Sequence, residues 1–230
     1  MFEISICKTK KGVIKNTAII SLSVIFIMMI SFVYFEPIVT GAATDEVVVT
    51  MSVTEEVTVT HPDDISLSPS IPGVTGNAGS PATGSLTWTV KTNNTTGFNM
   101  KIKSSTNPSL QLDGSNNFSD YTNGAALDYT WQSPSASAAW FGFTVEPATA
   151  GDTVTAFLDN NSDTCGTGST NNTNSCWAGM ATTDTDIINR STATASSGQA
   201  EVVKFRAESN AKFLTEGDYH ATVTVTVALN

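Results

Sequence analysis

The chain has 230 residues, a formal net charge of −10 at pH 7 and only 14% charged residues. Thr, Ser, Asn and Gly fill its polar positions, a composition that suits strands and turns and excludes coiled coils, helical bundles and collagen. An acidic chain also offers no positive surface to phosphates, which disfavours nucleic-acid binding.

Residues 1–43 are predicted to form a targeting segment. Four lysines between positions 8 and 15 precede an apolar run at residues 18–35, and the small residues Gly41, Ala42 and Ala43 follow. This order is typical of a secretory signal peptide cleaved after Ala43 or nearby. The apolar run is also close to the shortest length that crosses a bilayer, so an uncleaved membrane anchor is the alternative. In either case we expect the remainder of the chain to be exported.

A third interpretation of the leader concerns the residues just before the apolar run. Lys10, Lys11 and Gly12 resemble the processing site of a type IV prepilin. Thr17 stands at the position where that leader carries Glu, and Lys15 interrupts the segment. The prepilin resemblance therefore stays a secondary hypothesis.

Residues 44–230 are predicted to be a single antiparallel β-sandwich domain, immunoglobulin-like or jelly-roll-like. From Val47 to Val59 apolar residues alternate with polar ones, which indicates a half-buried strand, or two strands broken near Glu55 and Glu56. The alternation recurs at residues 86–90, 98–103, 127–131, 141–145, 154–158, 203–207 and 219–229. Turns rich in Gly, Asn and Pro separate these segments, as in an all-β fold.

One acidic segment matches part of a calcium-binding pattern. Asp159, Asn161 and Asp163 have the spacing of the first three ligands of an oxygen-rich calcium loop. Thr164 and Thr170 replace the glycine and the glutamate that the helix-loop-helix version requires. A weak calcium site is therefore the only cofactor expectation, and the alternative is a solvated turn.

Two cysteines of the exported part are predicted to form a disulfide. Once Cys7 is assigned to the leader, Cys165 and Cys176 remain, an even number for an oxidising compartment. The bridge would fasten a loop rich in Gly, Thr and Asn. Zinc would need more ligands than two cysteines and two remote histidines supply.

Candidates for chemistry are few. His61 and His220 are expected to be surface residues, and we find no motif of an activated nucleophile or a phosphate loop, so the chain is predicted not to be an enzyme. Trp88 and Trp131 share the phase of aliphatic neighbours and are expected in the core. Trp140 and Trp177 are the candidates for exposure and for stacking on a sugar ring.

Several segments along the predicted exported part of the chain carry a resemblance to known surface domains. Gly217, Asp218 and Tyr219 precede a strand of alternating valines, like the late strand of an immunoglobulin-like domain whose tyrosine hydroxyl fastens the corner. Together with the segment Thr-Thr-Gly-Phe-Asn-Met at residues 95–100, this resembles bacterial exported surface proteins of the WxL cell-wall type. The signature Trp-x-Leu is not intact, since Trp88-Thr-Val90 is its nearest match. The resemblance implies a β-sandwich at a bacterial surface and a partner in the cell envelope.

The sequence thus predicts an exported, non-enzymatic structural or interaction domain, extracellular or at the bacterial cell surface. The expected partners are a cell-envelope component, a glycan or another surface protein, with membrane contact only through residues 18–35 if these are not cleaved. A carbohydrate-binding adhesive module is the first alternative. The second is a fibre or pilus-like subunit in which the alternating segment from Glu46 to Thr60 adds as a strand to the sheet of a neighbour, whereas the simpler expectation pairs that strand within its own domain.

Overall fold

The computed structural model describes residues 21, 23–29, 47–146 and 151–230. The chain divides into two units, Met1–Ser52 and Val53–Asn230. In the first unit, residues 23–29 are helical and their side chains are exposed. Within the described ranges, no helix is long and apolar enough to cross a bilayer. The rest of the predicted targeting segment at residues 1–43 lies outside the described residues.

The second unit is all-β, as the alternating sequence predicts. The strands that the structure describes are β1 (Val57–Thr60), β2 (Ala82–Thr92), β3 (Phe98–Ser104), β4 (Leu110–Gln111), β5 (Asn117–Asp120), β6 (Ala138–Glu146), β7 (Ala178–Gly179), β8 (Thr185–Arg190), β9 (Gln199–Asn210) and β10 (Val223–Leu229). One short 3₁₀ helix spans Thr155–Phe157.

The strands form two main sheets. The larger has the order β1-β2-β9-β6-β5-β4, with β7 also paired to β6, and the smaller has the order β10-β3-β8. Neighbouring strands are antiparallel, except that β5 runs parallel to β6. The long strands β2, β6 and β9 therefore form the centre of the larger sheet, and β3 forms the centre of the smaller one.

Both sheets contribute to one buried cluster. On β6 the residues Phe141, Phe143 and Val145 are buried, and the register places Phe143 opposite Phe205 of β9. Alternate residues of β3 join the same cluster from the smaller sheet. Because successive side chains of a strand point to opposite faces, this cluster leaves the other face of β6 free for a second set of contacts.

The predicted strand from Val47 to Val59 is wrong over most of its length. Only Val57–Thr60 is a strand, and residues 47–56 carry no regular structure. The reason is the length of the neighbouring strand: β2 ends at Thr92, which pairs with Val57, so the backbone before Val57 extends past the end of the sheet. Alternation alone cannot reveal that a partner is missing.

Two further alternating segments are not strands. In residues 127–131 the only ladder contact is an isolated bridge from Asp128 to Trp177. Residues 154–158 contain the 3₁₀ turn, which buries the adjacent residues Phe157 and Leu158 instead of every second one. In these two segments, alternation of apolar and polar residues therefore does not indicate a strand.

Candidate functional site

The predicted cysteine pair lies at disulfide distance. The Sγ atoms of Cys165 and Cys176 are 2.03 Å apart and their Cα atoms 5.6 Å apart. Both cysteines are buried, whereas residues 166–169 between them are exposed. The pair therefore fastens the base of a surface loop, which we call the stapled loop (residues 159–176).

Asp159 organises the stapled loop from inside. Its side chain is 0% exposed. Its Oδ1 accepts hydrogen bonds from the Asn161 backbone N–H at 2.8 Å and from Asn172 Nδ2 at 3.0 Å. Its Oδ2 accepts from the Asn172 backbone N–H at 3.1 Å and from Ser175 Oγ at 3.5 Å. A buried carboxylate that satisfies several donors holds the turns of a loop together without secondary structure.

The three residues of the calcium pattern have different surroundings. Asp159 is buried among hydrogen-bond donors, while Asn161 and Asp163 are exposed and have positive φ angles of 59° and 61°. The Asn161 Oδ1 accepts from Asn172 Nδ2 at 3.1 Å. In the described part of the chain, no three His, Cys, Asp or Glu side chains are grouped so that they would hold a metal. Calcium binding here stays a prediction, and it would require Asp159 to exchange N–H donors for the ion.

A second buried cluster lies on the face of β6 opposite the core. This aromatic cluster consists of Tyr121, Trp131, Trp140 and Trp177. Tyr121 stacks on Trp131 with ring centroids 4.3 Å apart, and Trp140 meets the Tyr121 ring edge-to-face at 5.5 Å. Trp177 meets Trp131 edge-to-face at 5.2 Å. Offset and edge-to-face contacts are the favoured geometries of aromatic pairs, so the cluster is a stable platform.

The structure separates the two tryptophans predicted to stack on sugars. Trp177 is 1% exposed, and its Nε1 donates to the Asn174 carbonyl oxygen at 2.9 Å, so its prediction as an exposed residue is wrong. The hydrogen bond to Asn174 and the edge-to-face contact with Trp131 hold the indole in this buried position. Trp140 is half-buried at the rim of the aromatic cluster. Trp88 and Trp131 are buried, as predicted.

Polar side chains contact two rings of the aromatic cluster. Tyr121 Oη donates to Asp128 Oδ2 at 2.5 Å, and burial, reinforced by this contact, raises the pKa of the phenol. The Arg206 guanidinium lies 4.8 Å from the centre of the Trp131 ring, as in a cation–π contact, and its Nη2 lies 2.8 Å from Glu208 Oε2. Burial raises the pKa of Glu208, but hydrogen bonds from Arg206, Gly79 and Ser133 together outweigh it, and the net shift is downward.

Two further acidic residues, Asp152 and Glu201, are buried and interact with each other and with Arg190. Arg190 Nη1 contacts Asp152 Oδ2 at 2.5 Å, and its other nitrogens donate to the carbonyl oxygens of Thr192 and Ala193. Glu201 is 1% exposed, and its Oε1 has no hydrogen-bond partner. Burial and the nearby Asp152 raise the pKa of Glu201 to about 8, against the opposing effect of Arg190.

Neither histidine lies in a catalytic arrangement among the described residues. His61 is exposed, and its Nδ1 lies 3.0 Å from the carbonyl oxygen of Pro62. His220 is also exposed, and only its backbone pairs, with Gln111. Sequence reasoning missed the aromatic cluster as a unit, because Tyr121 lies outside every alternating segment and the alternation at residues 127–131 assigned Trp131 to the main core.

Comparisons of the chain with family models, with curated proteins and with solved structures find no match.

Proposed function

We propose that the chain is an exported, non-enzymatic structural or interaction domain of a bacterial cell surface. The observation that carries this proposal is the cysteine pair at disulfide distance, Cys165 and Cys176. Such pairs persist in oxidising compartments outside the cytosol. The leader-like order of lysines, apolar run and small residues at positions 1–43 supports the same location.

The proposed architecture is an immunoglobulin-like β-sandwich, with a jelly-roll-like arrangement as the alternative. Two sheets that share one core support it, because face-to-face packing of antiparallel sheets is the defining feature of sandwiches. Tyr219 Oη donates to the carbonyl oxygen of Thr215 at 3.0 Å, a contact of the kind made by the corner tyrosine of immunoglobulin-like domains. A relationship to surface domains of the WxL type, with a partner in the cell envelope, rests on the sequence resemblance alone.

A second candidate function is glycan binding at Trp140. Its half-buried indole is fixed by the edge-to-face contact with Tyr121 and stands at the rim of the aromatic cluster. Rigid, partly exposed aromatic rings are suited to stack on sugar rings. Glycan-array binding that Trp140→Ala abolishes would favour this function over a purely structural one, with Phe213→Ala as control because Phe213 is exposed elsewhere.

The test of the leading proposal is the location of the protein in its own cell. Antibodies against residues 53–230 should label intact cells or detect the protein in the medium. Protein found only after cell lysis, in the cytosolic fraction, would contradict the proposal.

A further inference from the structure

We propose that residues 47–53 of one molecule add as a strand to the free edge of β10 in a second copy of the chain, giving head-to-tail assembly. The proposal rests on the proposed surface function, and it names the partner as a second copy. It is carried by three features: a strand edge and an apolar segment that are both unpaired among the residues the structure describes, and the match between them.

The edge of β10 follows from the register of its single pairing. Among the described strands β10 pairs only with β3; β1 of the larger sheet lies close to β10 but forms no backbone ladder with it. The residues that flank β10 show which opposed pairs are hydrogen-bonded. Just before β10, the Thr222 carbonyl oxygen accepts from the Ser105 N–H at 3.0 Å, and just after it, the Asn230 N–H donates to the Gly97 carbonyl oxygen at 3.4 Å. Opposed residues of antiparallel strands alternate between hydrogen-bonded and non-bonded pairs, so the even-numbered residues face β3. The backbone groups that point away from β3 belong to Val223, Val225, Val227 and Leu229.

The side chains along this edge are incompletely covered. Val223, Val225 and Val227 pack against the core but are only partly buried, while the residues between them are exposed. A further strand beside β10 would cover the outer flank of these valines. The other edge of the smaller sheet, at β8, already has backbone partners. The Val154 N–H donates to the Ile187 carbonyl oxygen, and the Asn189 N–H donates to the Asp152 carbonyl oxygen.

Residues 47–53 form the unpaired segment, which we call the arm. The exposed fractions of its larger apolar side chains lie between 74% and 89%, for Val47, Val48, Val49, Met51 and Val53. A row of exposed apolar residues of this length is unusual in a folded protein and marks an interaction site. The arm therefore has both the side chains and the backbone groups to form a strand.

The base of the arm is fixed at the end of β2. Asn93 Nδ2 donates to the Thr54 oxygen and Asn93 Oδ1 accepts from the Glu56 N–H, both at 2.8 Å. Thr92 Oγ1 donates to the Glu56 oxygen at 2.7 Å. β1 follows directly and pairs with β2 in the larger sheet. The chain thus enters the domain through a tethered junction, and the arm before it is available to another molecule.

The arm and the edge match in pattern. In both, odd-numbered positions are apolar and the even-numbered ones are mainly Thr or Ser: Val49, Thr50, Met51 and Ser52 correspond in character to Val225, Thr226, Val227 and Ala228. Neither segment contains a charged residue, so pairing places no like charges directly opposite one another. An added strand would place its apolar side chains on the core side and its hydroxyls in solvent. This is strand addition, in which backbone hydrogen bonds supply affinity and alternate side chains supply specificity.

Two proline variants of the full chain, studied in detergent by sedimentation velocity, test the proposal. Met51→Pro removes a backbone donor from the arm, which is outside the sheets. Val225→Pro removes a donor that points away from β3, a position where an edge strand tolerates proline. Wild-type protein should form larger species as concentration rises, and each variant should lose this assembly. An equimolar mixture should form dimers and nothing larger, since only one arm and one edge remain intact.

The controls separate strand addition from other association. Ser52→Ala and Thr226→Ala keep every backbone donor and should assemble like the wild type. Met51→Pro retains the apolar run at residues 18–35, so assembly that survives this substitution would arise from that run and would overturn the proposal. Wild-type protein that stays monomeric at every concentration would overturn it as well. A monomeric protein still found at the cell surface would leave the proposed function standing.

Cross-linking covers the case in which Val225→Pro fails to fold. Chains carrying Val49→Cys and chains carrying Val225→Cys, each with Cys7→Ser, are purified separately and then mixed under oxidation. A disulfide-linked dimer that forms only on mixing supports addition between copies. If a single chain with both cysteines instead closes on itself at every concentration, or if no link forms, the proposal is overturned.

Discussion

Glu201 shows how a single carboxyl group couples this fold to pH. It occupies a core position of β9, in phase with Val203 and Phe205, yet its Oε1 has no hydrogen-bond partner. Arg190 is the nearby cation, but its guanidinium is committed to Asp152 and to two carbonyl oxygens. Burial therefore dominates and favours the neutral acid.

The first prediction is that stability falls as pH rises from about 4.5 to about 8, because the pKa of Glu201 is raised from 4.5 to about 8 in the folded chain. The stabilising contribution of Glu201 is fully present below its pKa in the unfolded chain and is lost as the pH rises through its pKa in the folded chain. The free energy of unfolding then changes by at most about 1.4 kcal/mol per pH unit. Urea unfolding of Glu201→Gln should show a flatter profile. The exposed Glu216→Gln is the control and should keep the wild-type slope. An identical slope in Glu201→Gln would refute the prediction.

Gly142 allows the aromatic cluster to lie directly on β6. A Cβ at this position would lie 2.6 Å from the Ala178 oxygen, 2.9 Å from Tyr121 Cβ and 3.1 Å from Trp131 Cζ3. The second prediction is that Gly142→Ala destabilises the fold by about 1–3 kcal/mol, the usual cost of overpacking. Tryptophan fluorescence should shift to the red as the cluster loosens. Gly114→Ala, where a Cβ meets nothing within 4 Å, is the matched control; equal stability of the two variants would contradict the account.

The stapled loop has little regular structure, and several side chains hydrogen-bond to its backbone. The third prediction is that Cys165→Ser combined with Cys176→Ser lowers the free energy of unfolding by about 3 kcal/mol or less, as expected for a short closed loop. The loss should remain modest because Asp159 keeps its donors within the loop. Urea denaturation measures it, with Cys7→Ser as control. Complete unfolding of the double variant would show that the disulfide, and not Asp159, organises the loop.

Much of the strand content is predictable from the sequence, for a simple reason. β2, β3, β6 and β9 are long and show a clear period of two in the side chains that enter the core. β8 escaped prediction because it buries the adjacent residues Ile187 and Ile188, next to a register shift against β3, so its pattern does not alternate. The arm shows the opposite error, since it alternates but pairs with no strand in the part of the chain that the structure describes.

The candidate site is less accessible to sequence reasoning. The pairing of Cys165 with Cys176 requires only counting, and the structure places these two residues at disulfide distance. The role of Asp159 as a buried acceptor depends on Asn172, which no sequence pattern marks as its partner. The burial of Trp177 depends on Trp131, which is distant from it in the sequence. Long-range packing of irregular segments is therefore the part that the sequence left open.

At the scale of the whole molecule, the chain combines a proposed export segment, an exposed apolar arm and an all-β unit fastened by a cysteine pair. This order suits a domain that is delivered across a membrane and then functions through its surfaces. The acidic, hydroxyl-rich composition is consistent with solubility after export.

Peptide mapping of the native protein by mass spectrometry, without reduction, tests the central claim most directly. The fourth prediction is that protein recovered from the cell surface or the medium begins at Thr44 or within a few residues of it. In the same digest, the peptides containing Cys165 and Cys176 should be joined. A chain recovered only from the cytosol, with its leader intact and both thiols free, would contradict the account.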